Sequence, residues 1–251
     1  GCINAMGRMN IKGDNKMNKK GALNRYWGFG MRQEWINGFL ADPEYWIASN
    51  GLGPIQHKAM INWLKDANLI EANNKPSQLC KLLRAKCTNE MATLISWLNI
   101  IEQSTVCNWW ASLERKTYSR SDLDFLLGDI FSDITERSRT NALRSLIGTI
   151  KDTVISSNYS MYSVRTKGIS VQSISKTESE DIEIEVLIYA LYNFAKHSNT
   201  FNFTLTDAFS DDTTSKSIKE LGISENLLKA TLISLQEHRS KLVRVEFVAN
   251  L

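Results

Sequence analysis

The sequence predicts a mainly α fold: a helical domain with tandem winged helix-turn-helix-like units and small β wings. Three observations lead there. Apolar residues recur at helical spacing in most segments of the 251-residue chain, and only 3 prolines interrupt them. A helix, a glycine-containing turn, a second helix and a brief extended segment follow one another in the first third. The same plan returns near the C-terminus.

The elements follow in order. Residues 1–22 lack apolar periodicity and are rich in Asn, Lys and Gly, as a linker is. They carry Arg8, Lys12, Lys16, Lys19 and Lys20 against one acid, Asp14, so a solvated linker is favoured over a phosphate-contacting arm. Residues 23–155 are read as an N-terminal winged-helix-like unit plus a helical middle. Trp35, Ile36, Phe39 and Leu40 line a first helix that Asp42-Pro43 ends. Gly51-Leu52-Gly53 is a turn, and Pro54 opens a helix striped by Ala59, Met60, Trp63, Leu64 and Ala67. Leu69-Ile70-Glu71 is its short extended exit.

The middle helices carry Met91, Leu94, Ile95, Leu98 and Ile101, then Val106, Trp109, Trp110 and Leu113. Ser121 is the expected cap of a helix bearing Leu123, Leu126, Leu127 and Ile130. Leu143, Ile147, Ile150 and Val154 stripe another, whose polar side holds Arg137, Arg139, Arg144 and Lys151. Residues 156–181 read as a connecting hairpin, turning at Thr166-Lys167-Gly168, or as a loose loop. Residues 182–251 form the C-terminal winged-helix-like unit: a helix from Ile184, a short helix ending at Gly222, a helix capped by Ser224, and alternation over Val243, Val245 and Phe247.

Composition excludes several classes. No apolar run approaches the roughly 18–20 residues that span a bilayer, and no secretory signal opens the chain. Cys80, Cys87 and Cys107 sit among apolar residues without a C-x-x-C pair, which suits a reducing, cytoplasmic setting. There is no phosphate-binding loop, zinc-protease motif or nucleophile elbow. Gly28-Phe29-Gly30 lacks the strand and third glycine of a dinucleotide fingerprint and reads as a tight turn. His57, His197 and His238 are far apart, and the acidic runs Glu178/Glu180/Asp181 and Asp211/Asp212 read as solvated surface. No catalytic constellation emerges.

A net charge of +3 does not by itself argue for nucleic acid. The distribution of side chains on two helices does more. Lys and Arg neutralise phosphates, and Asn or Gln can read adenine from a helix in the major groove. Gln56, His57, Lys58, Asn62 and Lys65 are the candidates on the first unit, and Lys229, Arg239, Lys241 and Arg244 on the second.

The run Asn24-Arg25-Tyr26-Trp27-Gly28-Phe29-Gly30-Met31-Arg32-Gln33-Glu34-Trp35, then Gly51-Leu52-Gly53 and Asn62-Trp63-Leu64-Lys65-Asp66-Ala67-Asn68-Leu69-Ile70, resembles an uncharacterised bacterial domain family. Leu94-Ile95-Ser96-Trp97-Leu98 and Asn108-Trp109-Trp110 look like its second signature. Its members are fused to or encoded beside phosphoadenosine phosphosulfate (PAPS) reductase-like proteins, often in DNA phosphorothioation and related bacterial defence clusters. The resemblance covers roughly Leu23 to Leu251.

It implies a non-catalytic accessory region of a PAPS reductase-like protein in DNA sulfur modification. That region would bind DNA or dock other subunits of the modification complex. The alternative is a purely structural protein–protein interaction domain without DNA contact. Gly1-Cys2-Ile3-Asn4-Ala5 looks like the tail of an upstream iron–sulfur motif, in which Cys2 would be the last thiolate ligand of a cluster. The resemblance places that cluster and ATP with the parent protein and assigns no cofactor and no catalytic residue to this stretch.

Overall fold

The computed structural model describes residues 22–48, 51–179, 182–210, 215–239 and 244–246. Cys2, Lys241 and residues 1–21 of the expected linker 1–22 lie outside them, as do Glu180, Asp181, Asp211 and Asp212. Helices α1 (Gln33–Ala41), α2 (Pro43–Ala48) and α3 (Pro54–Asp66) come first. Asp42-Pro43 both ends α1 and starts α2, because proline suits the first turn of a helix, where its missing N–H costs nothing. After α3 the chain makes a single antiparallel bridge, Ile70 to Pro76, and enters α4 (Gln78–Lys86) through the Ser77 cap, whose side chain accepts from the Cys80 N–H.

Helix α5 (Asn89–Gln103) is the axis of the fold. Every residue from Ala92 to Ile101 is buried, as a helix enclosed on all sides requires, and it touches α1, α3 and several helices later in the chain. Its buried polar groups are satisfied within the protein. Thr93 and Ser96 bond back to the carbonyls of Asn89 and Ala92, and Asn99 donates to the Ala67 carbonyl while accepting from Tyr189.

Helix α6 (Thr105–Ser112) leads to strand β1 (Thr117–Ser119) and then to α7 (Arg120–Ile130) and α8 (Glu136–Lys151). Ser119 caps α7 in a reciprocal box with Asp122; Ser121, the expected cap, bonds the Ser119 hydroxyl instead. The short α9 (Val154–Ser157) precedes a hairpin, β2 (Tyr162–Lys167) and β3 (Ser170–Lys176), which turns at left-handed Gly168. β3 pairs with β1 on its other edge, giving a three-stranded antiparallel sheet in the order β1-β3-β2.

Helices α10 (Ile184–His197), α11 (Leu205–Phe209), α12 (Ser217–Glu220) and α13 (Glu225–Arg239) complete the chain. Ser224 accepts from the Leu227 N–H at the start of α13. Residues 244–246 are not in a strand, and Val243 and Phe247 lie outside the described residues.

One continuous hydrophobic core runs from Leu23 to Leu232. Charged groups buried inside it join the C-terminal helices to the sheet. The Lys176 ammonium lies 2.9 Å from a Glu220 carboxylate oxygen, with both side chains almost fully enclosed. Tyr162 donates to the other oxygen of Glu220 and accepts from the Trp97 indole N–H. Glu102 accepts from the N–H groups of Lys216 and Ser217 at the start of α12, and Arg115 donates to the carbonyls of Lys219 and Glu220 at its end.

Candidate nucleic-acid interface

The site grows from the turn at residues 24–28. Trp27 donates its N–H to Asn24 and Phe29 to Tyr26, and both Trp27 (φ +51°) and Gly28 (φ +87°) are left-handed. Helix α3 braces one side of this turn. The Tyr26 ring stacks on Trp63 with centroids 3.5 Å apart, and the Trp63 indole N–H donates to the Phe29 carbonyl at 2.9 Å.

Asp66, at the C-terminal end of α3, is buried and accepts from the Tyr26 hydroxyl and, through both oxygens, from the Arg25 guanidinium at 3.0 Å. Burial pushes the Asp66 carboxyl up; the Tyr26 hydrogen bond and Arg25 oppose that shift. Burial and the same carboxylate push the Tyr26 hydroxyl well up.

Helix α8 braces the other side. Asn141 donates to the Asn24 side chain at 3.0 Å, and Met31 donates its N–H to the Thr149 hydroxyl at 2.8 Å. Gly30 lies flush on α8: a Cβ there would stand 2.4 Å from the Thr149 nitrogen. Two helix faces therefore meet across one turn.

On α3, Lys58 is exposed, while Gln56, His57, Asn62 and Lys65 are half-buried. Asn62 is committed internally, donating to the Arg25 carbonyl at 2.9 Å. His57 Nε2 is enclosed and has no hydrogen-bond partner among the described residues. The outward groups on this side are thus Lys58 and Lys65, seven residues apart on one helix face, while Arg25 is half-buried and paired to Asp66; Gln56, half-buried, lies on the opposite side of the helix. On α8, Arg137 and Arg144 are exposed and line an open cleft with Glu136, Thr140 and Asn141. Trp27 stands at the turn between the two helices, 41% exposed.

The second group of candidates sits elsewhere. Lys229 is exposed on α13, and Arg244 lies on the segment against that helix, 2.8 Å from Glu246. No described contact joins either to α3. The side chain of Arg239, like Lys241, is outside the described part. Sequence reasoning assigned Arg137 and Arg144 only to a polar helix side and left Arg25 and Trp27 out. The signals available were the polar side of the helix for the two arginines and, for Arg25 and Trp27, their place in the run Asn24 to Trp35.

Among the described residues no three His, Cys, Asp or Glu side chains gather as metal ligands, and no helix is long and apolar enough to cross a membrane. Cys80, Cys87 and Cys107 are unpaired thiols, and burial pushes all three up, away from the reactive thiolate.

These features define a class: a mainly helical domain around one enclosed helix, with a small three-stranded antiparallel sheet. A solved protein shares the fold. The crystal structure of magnesium ion-bound SspB superposes with a TM-score of 0.63 over 90% of this chain and 80% of that one, at 13% identity. No protein-family description and no curated protein matches the chain.

Proposed function

We propose that the chain is a non-catalytic accessory module of a DNA sulfur-modification system, and that it binds DNA through the face of α3. The observation that carries this reading is the bracing of that face. Lys58 and Lys65 project from a helix fixed by the Tyr26–Trp63 stack and the Arg25–Asp66 fork, so the cations meet phosphates with little ordering of the backbone left to be done. In this reading α3 is the recognition helix of a winged helix-turn-helix, and the Ile70–Pro76 bridge is a rudimentary wing.

The likeness to SspB is one of fold, and the link to DNA phosphorothioation is part of this proposal. The sequence resemblance to domains accompanying PAPS reductase-like proteins supports that link. The ATP chemistry and an iron–sulfur cluster, with Cys2 as a ligand, belong in this proposal to the parent protein. A second reading, docking of a partner subunit without DNA contact, is favoured by one feature. Tyr192 and Phe201 are 53% and 75% exposed and lie 6.1 Å apart, an apolar pair without cover.

Titration of the chain with a short duplex at two salt concentrations, read by fluorescence anisotropy, separates the two. DNA binding requires affinity that falls steeply with salt. The Lys58→Ala/Lys65→Ala variant should then lower the salt slope by about 2, since each lost phosphate contact removes about 0.9. An unchanged slope in a folded variant removes this face from the account.

A further inference from the structure

The positions where the backbone turns left-handed show an exception. Five non-glycine residues in the described chain have positive φ: Asn68, Asn74, Asn199, Ser160 and Trp27. Four are the small polar residues that tolerate this conformation. The fifth is the largest side chain available, and it is 41% exposed. A bulky residue held in an unfavourable backbone region, with its ring turned partly to water, is not explained by packing. The strain is maintained by the braces already described on either side of the turn.

The surroundings indicate what such a ring would meet. Gly28, the next residue, abuts α8: a Cβ there would lie 3.3 Å from the Asn141 side-chain oxygen and 3.8 Å from the Arg144 Cδ. Arg144 begins the cleft that runs along α8 past Asn141 and Thr140 to Arg137, with Glu136 at its end. The two arginines are seven residues apart, so they share a helix face and stand roughly 10 Å apart along its axis. Neither has an ion-pair partner among the described residues. The cleft is an open, polar groove lined by side chains of α8.

We propose that Trp27 and the α8 cleft form a subsite for an unpaired nucleotide of DNA. The indole stacks on the base, and Arg144 and Arg137 hold the phosphates on either side of it. This rests on the reading that the chain binds DNA, and adds that the bound DNA offers at least one base outside a duplex stack. Cations alone would serve any phosphate backbone. An aromatic face beside them is useful only to a base with a free π-face, which duplex interior bases do not present.

The test uses the whole chain with two probes: a short single-stranded oligonucleotide and a duplex of the same length, both followed by anisotropy. Trp27→Asn places at this position the residue type that three of the other left-handed sites carry, and Trp27→Phe keeps an aromatic ring. Thermal melting of each variant accompanies the titrations. The expected result is that Trp27→Asn weakens single-strand binding about tenfold, with duplex binding changed less than about twofold, and that Trp27→Phe restores most of the loss.

Arg144→Ala, which does not touch the strained backbone, should weaken single-strand binding and flatten its salt dependence. Equal effects of Trp27→Asn on both probes, or none on either, overturn the subsite while leaving duplex binding by α3 intact. A wild-type chain that binds neither probe refutes the DNA reading itself, and the subsite with it.

Discussion

Replacing Lys176 with Met tests whether the buried charge cluster joins the sheet to the C-terminal helices. The Lys176 ammonium faces Glu220 at 2.9 Å and donates to the carbonyls of Trp110 at 3.0 Å and Leu113 at 3.1 Å, and it stands 5.0 Å over the Trp110 ring. Lys176→Met strands the Glu220 carboxylate in the core with only the Tyr162 hydroxyl, and takes the lysine's bonds from those carbonyls, of which Trp110 keeps the Leu113 N–H. Removing one partner of a buried pair costs about 3–5 kcal/mol. Glu220→Gln should cost less, about 1–3 kcal/mol, because the lysine keeps the carbonyls at the end of α6 and the aromatic face.

The double variant Lys176→Met/Glu220→Leu should be more stable than Lys176→Met alone, since no charge is then left unpaired. Urea titration followed by circular dichroism gives the three values by linear extrapolation. A Glu220→Gln loss equal to or greater than that of Lys176→Met would refute the reasoning, as would a Lys176→Met loss below about 1 kcal/mol.

The Arg25–Asp66–Tyr26 cluster gives a second ordering. Asp66→Ala should destabilise more than Arg25→Ala in urea melts, because it leaves the buried Tyr26 hydroxyl without its acceptor, whereas Arg25 is about one-third exposed and can be hydrated. Gly30→Ala should cost about 1–3 kcal/mol, since its Cβ would meet backbone atoms of Gly148 and Thr149 that cannot swing away; an unchanged denaturation midpoint would deny the contact.

Alkali tests the buried tyrosines. Burial raises Tyr26, Tyr118, Tyr162 and Tyr189, with Tyr118 pushed up to about 12. An acid whose folded value is raised contributes stability that is fully present below its unfolded value, near 10, and is lost as pH rises through the folded one. Stability should therefore fall between about pH 10 and 12, less steeply in Tyr118→Phe, with tyrosinate absorbance of the buried rings appearing alongside unfolding.

Much of the helical frame was legible because its signals are local. The stripe Ala59-Met60-Trp63-Leu64, the proline at the start of α3 and the serine before α13 each act within a turn or two of their own position. Strand β1 was not legible. It is three residues long, sits directly before a helix cap, and is fixed only by pairing with residues 173–175 more than fifty positions later. The cap itself moved from Ser121 to Ser119 for the same reason: once β1 is extended, Ser119 is the last residue with strand geometry and the first whose side chain can reach the Asp122 N–H. Lys176 shows the same limit. In a polar hairpin a lysine reads as solvent-facing, and its burial depends on Glu220 on α12 and on the carbonyls at the end of α6, all distant in sequence.

The candidate site divides along the same line. Helix periodicity shows which side of α3 is polar, but not that Asn62 turns inward to the Arg25 carbonyl, because its partner lies 37 residues away on a turn with no periodicity of its own. Trp27 and the arginines of α8 were invisible as a group, since the turn is held to α8 by contacts across more than a hundred residues, among them the Asn24–Asn141 and Met31–Thr149 bonds and the flush seat of Gly30. These bracing contacts set the physical meaning of the surface. Cations scattered on a flexible face would lose much of their phosphate attraction to ordering, whereas α3 and α8 are both fixed against one short turn and through it to each other. The glycines, tyrosine, tryptophan and aspartate that do the fixing are the residues of the family-like motif. A motif rich in aromatic and small residues, with few cations of its own, can therefore still specify where the cations stand.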